Sequence, residues 1–363
     1  MRVAAFTKYG SLAASTRQRV LQYVPHLEAA GISVDYRPLL GESYVASLAT
    51  GSPFSKSEVV GAYLRRMRQL IVAPDFDLLW VYAELFPYLP AAFERLALRS
   101  GKPVVYDFDD AFFHQYDEHP GYAARLALRG KLEPLLAGAA VCCCGNEYLR
   151  AYAARYCPDS MVLPTVVDTD VYKPAGTRGS AARELTVGWI GSPSTWAYMQ
   201  PILPLLADLA GERGVRIRVV GAGAKARSVS FPGLDLVEWT AAGEVQEVQK
   251  MDIGIMPLPD EPWAQGKSGY KLIQYMACGL PVVASPVGVN SSIIDQGVTG
   301  FLASDPAEWK ACLLMLLENA ELRGQMGSRG REKAEQRYSL KAHAPRLVQT
   351  FRSLAPDNRP DHG

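Results

Sequence analysis

The sequence predicts an α/β protein built from two doubly wound, Rossmann-like domains. Two observations predict this class. Short, continuous apolar runs alternate with amphipathic segments, and this alternation occurs once before residue 165 and again after residue 185. Strands that are apolar throughout are typical of parallel sheets covered by helices on both faces. Two such series in one chain therefore indicate two separate sheets.

Each half of the chain supplies its own set of predicted strands. The first half contains RVAAF, ISVDY, LLWVY, PVVYD, AVCCC and MVL, and the second contains LTVGWI, RIRVV, DLV, DIGIM, PVVAS and GFL. A linker rich in Pro, Gly and Thr separates them near residues 165–185. We therefore expect a first domain over 1–172, a second over 173–337, a helix over 338–354 that packs back on the first domain, and a flexible tail over 355–363.

The composition argues against some classes of partner. The chain has 38 Lys and Arg against 37 Asp and Glu, whereas nucleic-acid binders gather an excess of basic residues on one face. No run approaches the roughly 20 apolar residues that span a bilayer, and the first apolar run is too short for a secretory signal. We expect a cytoplasmic protein whose six cysteines, which lack metal-ligand spacing, are free thiols.

Two loops of the second half follow predicted strands, where parallel sheets bind ligands. The loop GSPSTW offers Gly191 for a close backbone approach and the hydroxyls of Ser192, Ser194 and Thr195 for an anion; the alternative is an ordinary helix cap. The loop GAGAKAR, residues 221–227, matches the nicotinamide-dinucleotide fingerprint GxGxxA. A Phe-Pro-Gly sequence soon interrupts the helix that this fingerprint requires, which argues against NAD.

A third loop gives the strongest signal. In EPWAQGKSGYKLIQYMACGLP, residues 261–281, Lys267 and Lys271 flank Gly269 at the start of a helix. A helix start exposes unpaired N–H groups and carries partial positive charge, so two lysines there oppose the helix dipole unless an anion lies near them. The pattern predicts a phosphate site, and the alternative is a solvated helix start.

These residues carry a family resemblance. The segment YKLIQYMACGLPVVASPVGVNSSIIDQGVTGFL resembles the donor-site signature of the family 4 glycosyltransferases (glycosyl transferases group 1) of the GT-B fold. The segments VLPTVVDTDVYKP, ASTRQRVLQYVPHLEAAGI and VVYDFDDAFF are similar to other parts of these enzymes, so the resemblance covers nearly the whole chain. It implies two domains facing a central cleft and a hexosyltransferase that moves a sugar from a nucleotide-diphosphate donor to a hydroxyl acceptor, with retention of configuration and without a metal or other cofactor.

The resemblance also implies positions for the donor. By position, Gly269, Tyr270 and Lys271 are implied to lie against the diphosphate. Gln274 is implied to replace the acidic residue that holds the ribose hydroxyls. Glu238 and Trp239 are implied to line the base through their backbone. The sequence departs from the family pattern at Gly266, where an acidic residue is usual, and in GSPSTW, which lacks the usual Arg and Lys. Lys267 and Lys271 are expected to substitute for that charge.

One candidate segment of the first half follows its first strand. A loop containing Gly10 leads into a helix that bears Arg17 and Arg19. Residues two apart point in different directions on a helix, so at most one of these arginines is expected to face the cleft, where it would bind a donor phosphate or an acidic acceptor. The alternative is that both are surface charges.

A second candidate segment, YDFDDAFFH, follows the strand PVVYD. Asp109 or Asp110 is expected to orient or deprotonate the acceptor hydroxyl, with His114 nearby. One alternative is a helix cap, and another is a metal site, which would need further ligands. We therefore expect no metal here.

The helix AYLRRMRQLIVA, residues 62–73, is basic and carries an apolar stripe. A solvated helix packed by its stripe is the more ordinary interpretation; the alternative is peripheral contact with the inner face of a membrane, as would suit a lipid-linked acceptor. A glycan or a small molecule is equally open as the acceptor. Two other functions also remain open: a catalytically silent GT-B protein that binds a nucleotide sugar or glycan, suggested by Gly266, and a sugar-nucleotide epimerase on the same fold.

Overall fold

The structure, a computed structural model, describes residues 1–50, 52–71, 75–176 and 184–355. The chain forms two compact units, each with one parallel sheet. Unit 1 contains Met1–Thr165, Gln265–Ser268 and the chain from Ala342 onward, and unit 2 contains Val166–Ala264 and Gly269–Lys341. The prediction of two doubly wound α/β units is confirmed.

Unit 1 is built on six strands: β1 (Arg2–Tyr9), β2 (Ser33–Leu40), β3 (Leu78–Tyr82), β4 (Val104–Phe108), β5 (Val141–Cys144) and β6 (Ser160–Val162). They form one parallel sheet in the order β2-β1-β3-β4-β5-β6. Every residue of β3 and β4 is buried, while the edge strand β2 is half exposed. The chain winds outward from β1 in both directions, so the carboxyl ends of β1 and β3 flank the point where such sheets bind ligands.

Helices cover this sheet. They are α1 (Ala14–Arg19), α2 (Val24–Ala29), α3 (Glu42–Thr50), α4 (Lys56–Ile71), α5 (Ala91–Glu94), α6 (Phe112–Asp117), α7 (Tyr122–Leu128), α8 (Glu133–Ala137) and α9 (Glu147–Ala153), with 3₁₀ turns at Leu21–Tyr23 and Arg95–Ser100. Apolar side chains from the sheet and these helices form one core, in which Phe6, Leu79 and Tyr106 have no exposed surface.

Unit 2 repeats the plan with β7 (Thr186–Ile190), β8 (Arg216–Val220), β9 (Leu234–Val237), β10 (Ile253–Met256), β11 (Val282–Ala284) and β12 (Gly300–Leu302), parallel in the order β12-β11-β10-β7-β8-β9. Its helices are α10 (Leu203–Arg213), α11 (Glu244–Gln249), α12 (Pro262–Gln265), α13 (Tyr270–Ala277), α14 (Asn290–Ile293), α15 (Pro306–Glu318) and α16 (Ala320–Arg337), with 3₁₀ helices at Pro193–Ile202 and Ala224–Ser228. The cores lie on the two faces of the sheet.

The last helix, α17 (Leu340–Ser353), belongs to unit 1 from Ala342 onward. The buried ring of Phe351 packs edge-on against Trp80 of β3, with 5.3 Å between ring centroids. Two arginines of the helix donate to backbone carbonyls of unit 1: Arg346 to Val162 (3.1 Å) and Arg352 to Ala30 (2.7 Å). Burial of a large aromatic pair, together with these hydrogen bonds, holds the helix on unit 1.

The division between the units lies at Thr165–Val166, ahead of the expected boundary at 172. The segment that follows packs on unit 2 because Val167 pairs with Ser339 and the Tyr172 hydroxyl accepts a hydrogen bond from Gln274. Residues 177–183 of the predicted linker and residues 356–363 of the predicted tail lie outside the described residues.

The cysteines are free thiols, as expected. Five of the six are buried and Cys312 is partly exposed. Cys142, Cys143 and Cys144 form β5, where they have no exposed surface. Three consecutive small apolar side chains suit a strand that is covered on both faces.

A buried ion pair ties the first helix to the sheet. The Arg19 guanidinium, with no exposed surface, donates to Asp107 of β4 at 2.6 and 2.9 Å and to the Leu163 carbonyl at 2.7 Å. Burial opposes the charge, but the Asp107 carboxylate raises the pKa of Arg19 above its ordinary value. The prediction that Arg19 binds a phosphate or an acidic acceptor is therefore wrong: its donors are used inside unit 1, and it is not a surface charge either.

We predict that Arg19→Ala lowers the free energy of unfolding by about 3–5 kcal/mol, because it leaves the Asp107 carboxylate buried without its cation. Urea denaturation followed by circular dichroism measures this change. The matched control is Arg150→Ala, which removes an arginine whose ion pair with Glu147 is exposed (side chains 41 and 72 % exposed); it should cost less than about 1 kcal/mol. Equal losses in the two variants would contradict a structural role for Arg19.

Candidate functional site

The loop after β7 forms one part of the candidate site. Thr195 folds back on this loop, its hydroxyl accepting from the Ser192 amide at 3.1 Å, and the Ser192 and Ser194 hydroxyls lie 2.8 Å apart. A Cβ atom at Gly191 would lie 2.3 Å from the Trp189 ring, so only glycine fits there. The predicted hydroxyls therefore cluster at the carboxyl end of β7, at the start of the 3₁₀ helix that follows.

The start of α13 forms the second part. Gly269 precedes the helix at φ +67°, and a Cβ atom there would lie 2.3 Å from Ile293 Cδ1, so the position favours glycine for two independent reasons. The Lys271 Nζ lies 5.6 Å from the centroid of the Trp189 ring. Since the same ring contacts Gly191, the structure brings two of the predicted donor loops, GSPSTW and the start of α13, to one edge of the unit 2 sheet.

A polar network lies beside these loops. Gln274, only 3 % exposed, donates to Glu244 Oε1 (2.7 Å) and to the Tyr172 hydroxyl (3.0 Å). The other Glu244 oxygen accepts from Trp239 Nε1 at 2.7 Å, and the Tyr270 hydroxyl lies 3.3 Å from that of Tyr172. A buried carboxylate thus lies next to Gln274, which the resemblance implies takes the place of an acidic residue.

Sequence reasoning missed Glu244. The one available signal was an acidic residue in the first turn of a helix shortly after the segment VEWT. Within that segment the Trp239 ring joins the network, while the Glu238 side chain is 86 % exposed and pairs with Arg227. The expectation that Glu238 lines the base through its backbone stays a prediction.

The loop at 221–227 does not meet the structural condition of the dinucleotide fingerprint. It leads into the short 3₁₀ helix Ala224–Ser228 and not into an α-helix. Gly221, at φ +78°, instead allows close packing, because a Cβ atom there would lie 2.4 Å from the Gly191 carbonyl oxygen. The loop therefore supports the GSPSTW turn.

Lys267 lies in unit 1, whereas Lys271 lies in unit 2. The Lys267 ammonium is 3.1 Å from both oxygens of Asp110, and its carbonyl accepts from the Asn146 side chain at 3.1 Å. We expected both lysines to supply charge to one diphosphate. In the structure the charge of Lys267 is already balanced by the Asp110 carboxylate.

The structure gives a steric reason for glycine at position 266, where the resemblance implies an acidic residue. A Cβ atom at this position would lie 2.4 Å from the Ala111 Cβ and 2.9 Å from the Ala111 amide nitrogen. Contacts this short do not occur, so an acidic side chain cannot be placed at residue 266 while Ala111 keeps its position.

The three predicted catalytic side chains have different surroundings. Asp109 is 6 % exposed and accepts hydrogen bonds from Tyr82 (2.6 Å) and Thr165 (3.0 Å). Asp110 is partly exposed and paired with Lys267. His114 lies on α6 between Tyr148 (2.7 Å) and Glu118 (2.8 Å). Of the two aspartates, Asp110 has the carboxylate that solvent can reach.

The loop after β1 already holds a carboxylate. Glu42, at the start of α3, accepts from the Ser11 amide (2.5 Å), the Ser11 hydroxyl (2.8 Å) and the Leu12 amide (2.9 Å). A Cβ atom at Gly10 would lie 2.5 Å from Glu42 Oε1, so a larger residue there would displace this carboxylate. The slight burial of the Glu42 carboxylate would raise its pKa, but these hydrogen bonds and nearby Arg17 lower the pKa below its ordinary value. Sequence reasoning missed Glu42.

Arg17 lies on the other side of this loop. Its Nη1 donates to the carbonyls of Ser11 (3.1 Å) and Leu12 (2.8 Å). The guanidinium therefore helps to fix the loop that Glu42 holds from the amide side. Its assignment to an acceptor or a phosphate stays a prediction.

A second buried charge network follows β3. Glu84, with no exposed surface, pairs with Lys8 (3.1 Å) and Lys131 (3.3 Å) and accepts from Tyr116, while Lys131 also pairs with Glu94 at 2.5 Å. Burial alone would raise the pKa of Glu84, but the two lysines lower it; burial would lower the pKa of Lys8, but Glu84 raises it. The charged forms of Glu84 and Lys8 are therefore favoured.

The predicted membrane-contacting helix begins earlier than expected, at Lys56. Its buried stripe includes Arg66, which donates to the Thr7 and Arg37 carbonyls at 3.0 and 2.8 Å, while Leu64 is 58 % exposed. Residues 72–73 of the prediction lie outside the described residues. None of the described helices has the length and apolar character needed to cross a membrane. Peripheral membrane contact stays a prediction.

Two Rossmann-like units, each with one parallel sheet, and the glycine-rich loops at the carboxyl edge of the second sheet define a protein of the GT-B fold. Solved structures support this class at low identity. Sucrose-phosphate synthase from Thermosynechococcus elongatus aligns with a TM-score of 0.74 at 15 % identity, over 97 % of this chain and 98 % of that one. Anabaena HepE, solved in complex with UDP and glucose, aligns with a TM-score of 0.69 at 15 % identity, over 97 and 100 %. At this identity the likeness establishes the fold alone.

A family match covers part of the sequence, most of it in unit 2. Residues 185–319 match the model of the glycosyl transferases group 1. The D-inositol 3-phosphate glycosyltransferase of Thermobispora bispora is 29 % identical over 169 residues, which cover 46 % of this chain and 34 % of that protein. The chain matches only 34 to 55 % of the length of that protein and of the D-inositol 3-phosphate glycosyltransferases of Kineococcus radiotolerans and Corynebacterium jeikeium. The resemblance to the group 1 glycosyl transferases of the GT-B fold is confirmed.

We predict that Gln274→Glu destabilises the protein in a pH-dependent way. It would place a second carboxylate about 2.7 Å from Glu244 Oε1, and like charges this close raise the folded-state pKa of the pair above its unfolded value. The folded variant then keeps a proton that the unfolded chain releases, so its stability falls as pH rises through that range. We expect a loss of about 2–3 kcal/mol at pH 8 and a smaller loss at pH 5.

Urea denaturation at the two pH values measures this effect. The matched control is Gln325→Glu, since Gln325 donates to Glu321 at 3.0 Å on the exposed face of α16. There solvent screens the repulsion, and the expected change is below about 0.5 kcal/mol at both pH values. A Gln274→Glu variant with the same pH profile as this control would contradict the network.

Proposed function

We propose that this chain is a glycosyltransferase that moves a sugar from a nucleotide-diphosphate donor, held by unit 2, to a hydroxyl acceptor, held by unit 1. The observation that carries the proposal is the convergence of the GSPSTW loop and the start of α13 on the Trp189 ring, with Lys271 beside it. The family match over residues 185–319 and the UDP complex of a protein with this fold support it.

The diphosphate would be stabilised by the start of α13. Unpaired backbone N–H groups at a helix start and a neighbouring ammonium are suited to negative charge that grows on a leaving phosphate. Gly269, at φ +67°, turns the chain into the helix, and Lys271 supplies the cation. These groups are fixed before the reaction, so little reorganisation is needed when charge develops.

The ribose would meet the Glu244 network. Gln274 offers an amide where the family usually has a carboxylate, and Glu244 supplies the missing charge 2.7 Å away. Tyr270 and Trp239 border the same network. A ribose diol can donate to a carboxylate and accept from an amide, so the pair matches its hydrogen-bonding groups.

The finer features of the reaction also belong to the proposal. We propose hexosyl transfer with retention of configuration, on the strength of the family resemblance. We further propose that the reaction needs no metal, since Lys271 and the helix start can neutralise the charge that a divalent ion neutralises in other transferases. Addition of EDTA to an active preparation tests this feature directly.

A silent binding protein is the second candidate function. The contact of Gly266 with Ala111 favours it, because that contact excludes the usual acidic residue. Release of free sugar from the donor without an acceptor would count against this candidate. Tight nucleotide binding without any hydrolysis or transfer would favour it.

We predict that Lys271→Ala weakens nucleotide binding at least about tenfold, because the variant loses a cation that a diphosphate contacts. Isothermal calorimetry with UDP, GDP, ADP, dTDP and NAD measures the binding. Lys310→Ala, which removes a lysine that is paired with Glu212 and 41 % exposed, is the control and should bind like the wild type. Binding of NAD alone, or equal affinities in both variants, would contradict the donor site.

We predict that Asp110→Asn lowers turnover about 100-fold, as expected for loss of a general base, and leaves nucleotide affinity unchanged. Asp109→Asn should instead lower stability, because Asp109 is buried between Tyr82 and Thr165. Transfer or donor-hydrolysis rates and thermal melts separate the two effects. The control is Asp170→Asn, at an exposed aspartate paired with Lys341. Full activity in Asp110→Asn would remove this residue from the chemistry.

A further inference from the structure

The carboxyl ends of β1 and β3 are where unit 1 would hold a second substrate. Four cations of the described chain at this edge have a carboxylate partner: Lys8 with Glu84, Lys131 with Glu94, Arg19 with Asp107, and Lys267 with Asp110. A fifth, Arg17, donates to the carbonyls of Ser11 and Leu12. Asp109 and Glu42 are carboxylates at the same edge. A phosphorylated acceptor would therefore meet four cations that already have carboxylate partners.

The backbone position suited to an anion is also filled. The amides of Ser11 and Leu12, in the glycine loop after β1, are groups of the kind that hold phosphates in α/β proteins. Here they donate to Glu42 at 2.5 and 2.9 Å, and the Ser11 hydroxyl does so at 2.8 Å. The chain's own carboxylate occupies the place that an acceptor phosphate would take.

The same edge presents aromatic rings. Tyr9 stacks on Tyr44 with 6.2 Å between centroids and 17° between planes, and Tyr44 contacts Phe54 at 4.8 Å. The Lys8 ammonium lies 5.3 Å from the Tyr9 ring and 6.0 Å from the Tyr88 ring. Tyr9, Tyr44, Phe54 and Tyr88 thus form an aromatic wall around the neutralised Lys8.

Tyr88 is held in an unusual conformation. Its side chain is 59 % exposed. In the described part of the chain, Tyr88 (φ 60°) and Ala83 (φ 64°) are the non-glycine residues with positive φ. The Tyr88 amide donates to the Tyr116 hydroxyl at 3.2 Å, and its ring packs edge-on against the Tyr116 ring at 5.9 Å. Backbone strain of this kind concentrates at ligand-binding segments, where the surrounding structure maintains it.

We propose that the acceptor of this chain is an uncharged ring compound, a polyol or glycoside, that stacks on Tyr88, and that it is not a phosphate ester. The inference rests on the proposed function, in which unit 1 holds the acceptor. Aromatic faces bind the C–H faces of such rings by apolar contact. Four of the matching relatives are named D-inositol 3-phosphate glycosyltransferases, so the inference separates this chain from those four.

Ligand-observed NMR and calorimetry on the full chain with UDP present test the inference. The probes are a set of neutral methyl hexopyranosides with myo-inositol, and D-inositol 3-phosphate. We expect the wild type to bind at least one neutral probe more tightly than the phosphate. Tyr88→Ala should weaken that binding at least fivefold, whereas Tyr122→Ala, at an exposed tyrosine of α7 (72 %), should not change it.

Glu42→Ala tests the filled anion position. Vacating the Ser11 and Leu12 amides should strengthen binding of D-inositol 3-phosphate roughly tenfold, as charge-assisted hydrogen bonds become available. Glu58→Ala, at an exposed glutamate of α4, is the control. If the alanine variant does not fold, Glu42→Gln keeps the hydrogen-bond acceptor, removes the charge, and should give a smaller increase.

Three results would overturn the inference: tighter binding of the phosphate than of every neutral probe by the wild type, no binding of any neutral probe, or unchanged phosphate binding in the Glu42 variants. The proposed function is judged separately by binding of UDP, GDP, ADP or dTDP and by its loss in Lys271→Ala. A chain that binds one of these nucleotides and prefers the phosphate would refute the acceptor inference alone. A chain that binds no nucleotide would refute the proposed function.

Discussion

Unit 1 depends on charge pairing at the carboxyl edge of its sheet. Folding removes several carboxylates there from water, and an unpaired buried charge costs several kcal/mol, so each must meet a cation or backbone N–H groups. Asp107 pairs with Arg19, and Glu84 pairs with Lys8 and Lys131. Glu42, which is exposed, accepts from the amides after β1 in the same region. This pairing fixes α1, α3 and the loop after β3, and it decides which charges are left to a ligand.

Unit 2 depends on close backbone approach at the corresponding edge of its own sheet. Gly191, Gly221 and Gly269 each occupy a position where a Cβ atom would lie within 2.4 Å of a neighbouring atom. The loops they begin can therefore lie against one another and against the Trp189 ring. Buried polar groups that remain, above all Glu244, find partners in Gln274 and Trp239. The three glycines thus allow the loops at this edge to pack closely, and Glu244 provides a buried carboxylate beside them.

The strands and the glycine loops could be predicted from the sequence, because apolar runs and punctuating glycines are local signals. Gly269 and Lys271 stand where the local pattern placed a helix start. The partners of charged groups could not be predicted. Lys267 meets Asp110 across 157 residues of sequence, Lys8 meets Glu84 across 76, and Glu42 meets Ser11 across 31. Arg19 was misassigned for the same reason, since nothing adjacent to it in sequence indicates a buried aspartate.

The contact between Gly266 and Ala111 joins two segments far apart in the chain. Replacing Ala111 by glycine would remove only the nearer of the two contacts, because the backbone nitrogen of residue 111 would still lie 2.9 Å from a Cβ atom at 266. A side chain at 266 therefore requires the backbone at 111 to move, and that backbone leads directly into α6. The glycine fixes how closely the loop at 265–268 can approach the end of β4, so a change at this one position would reset the spacing of two segments.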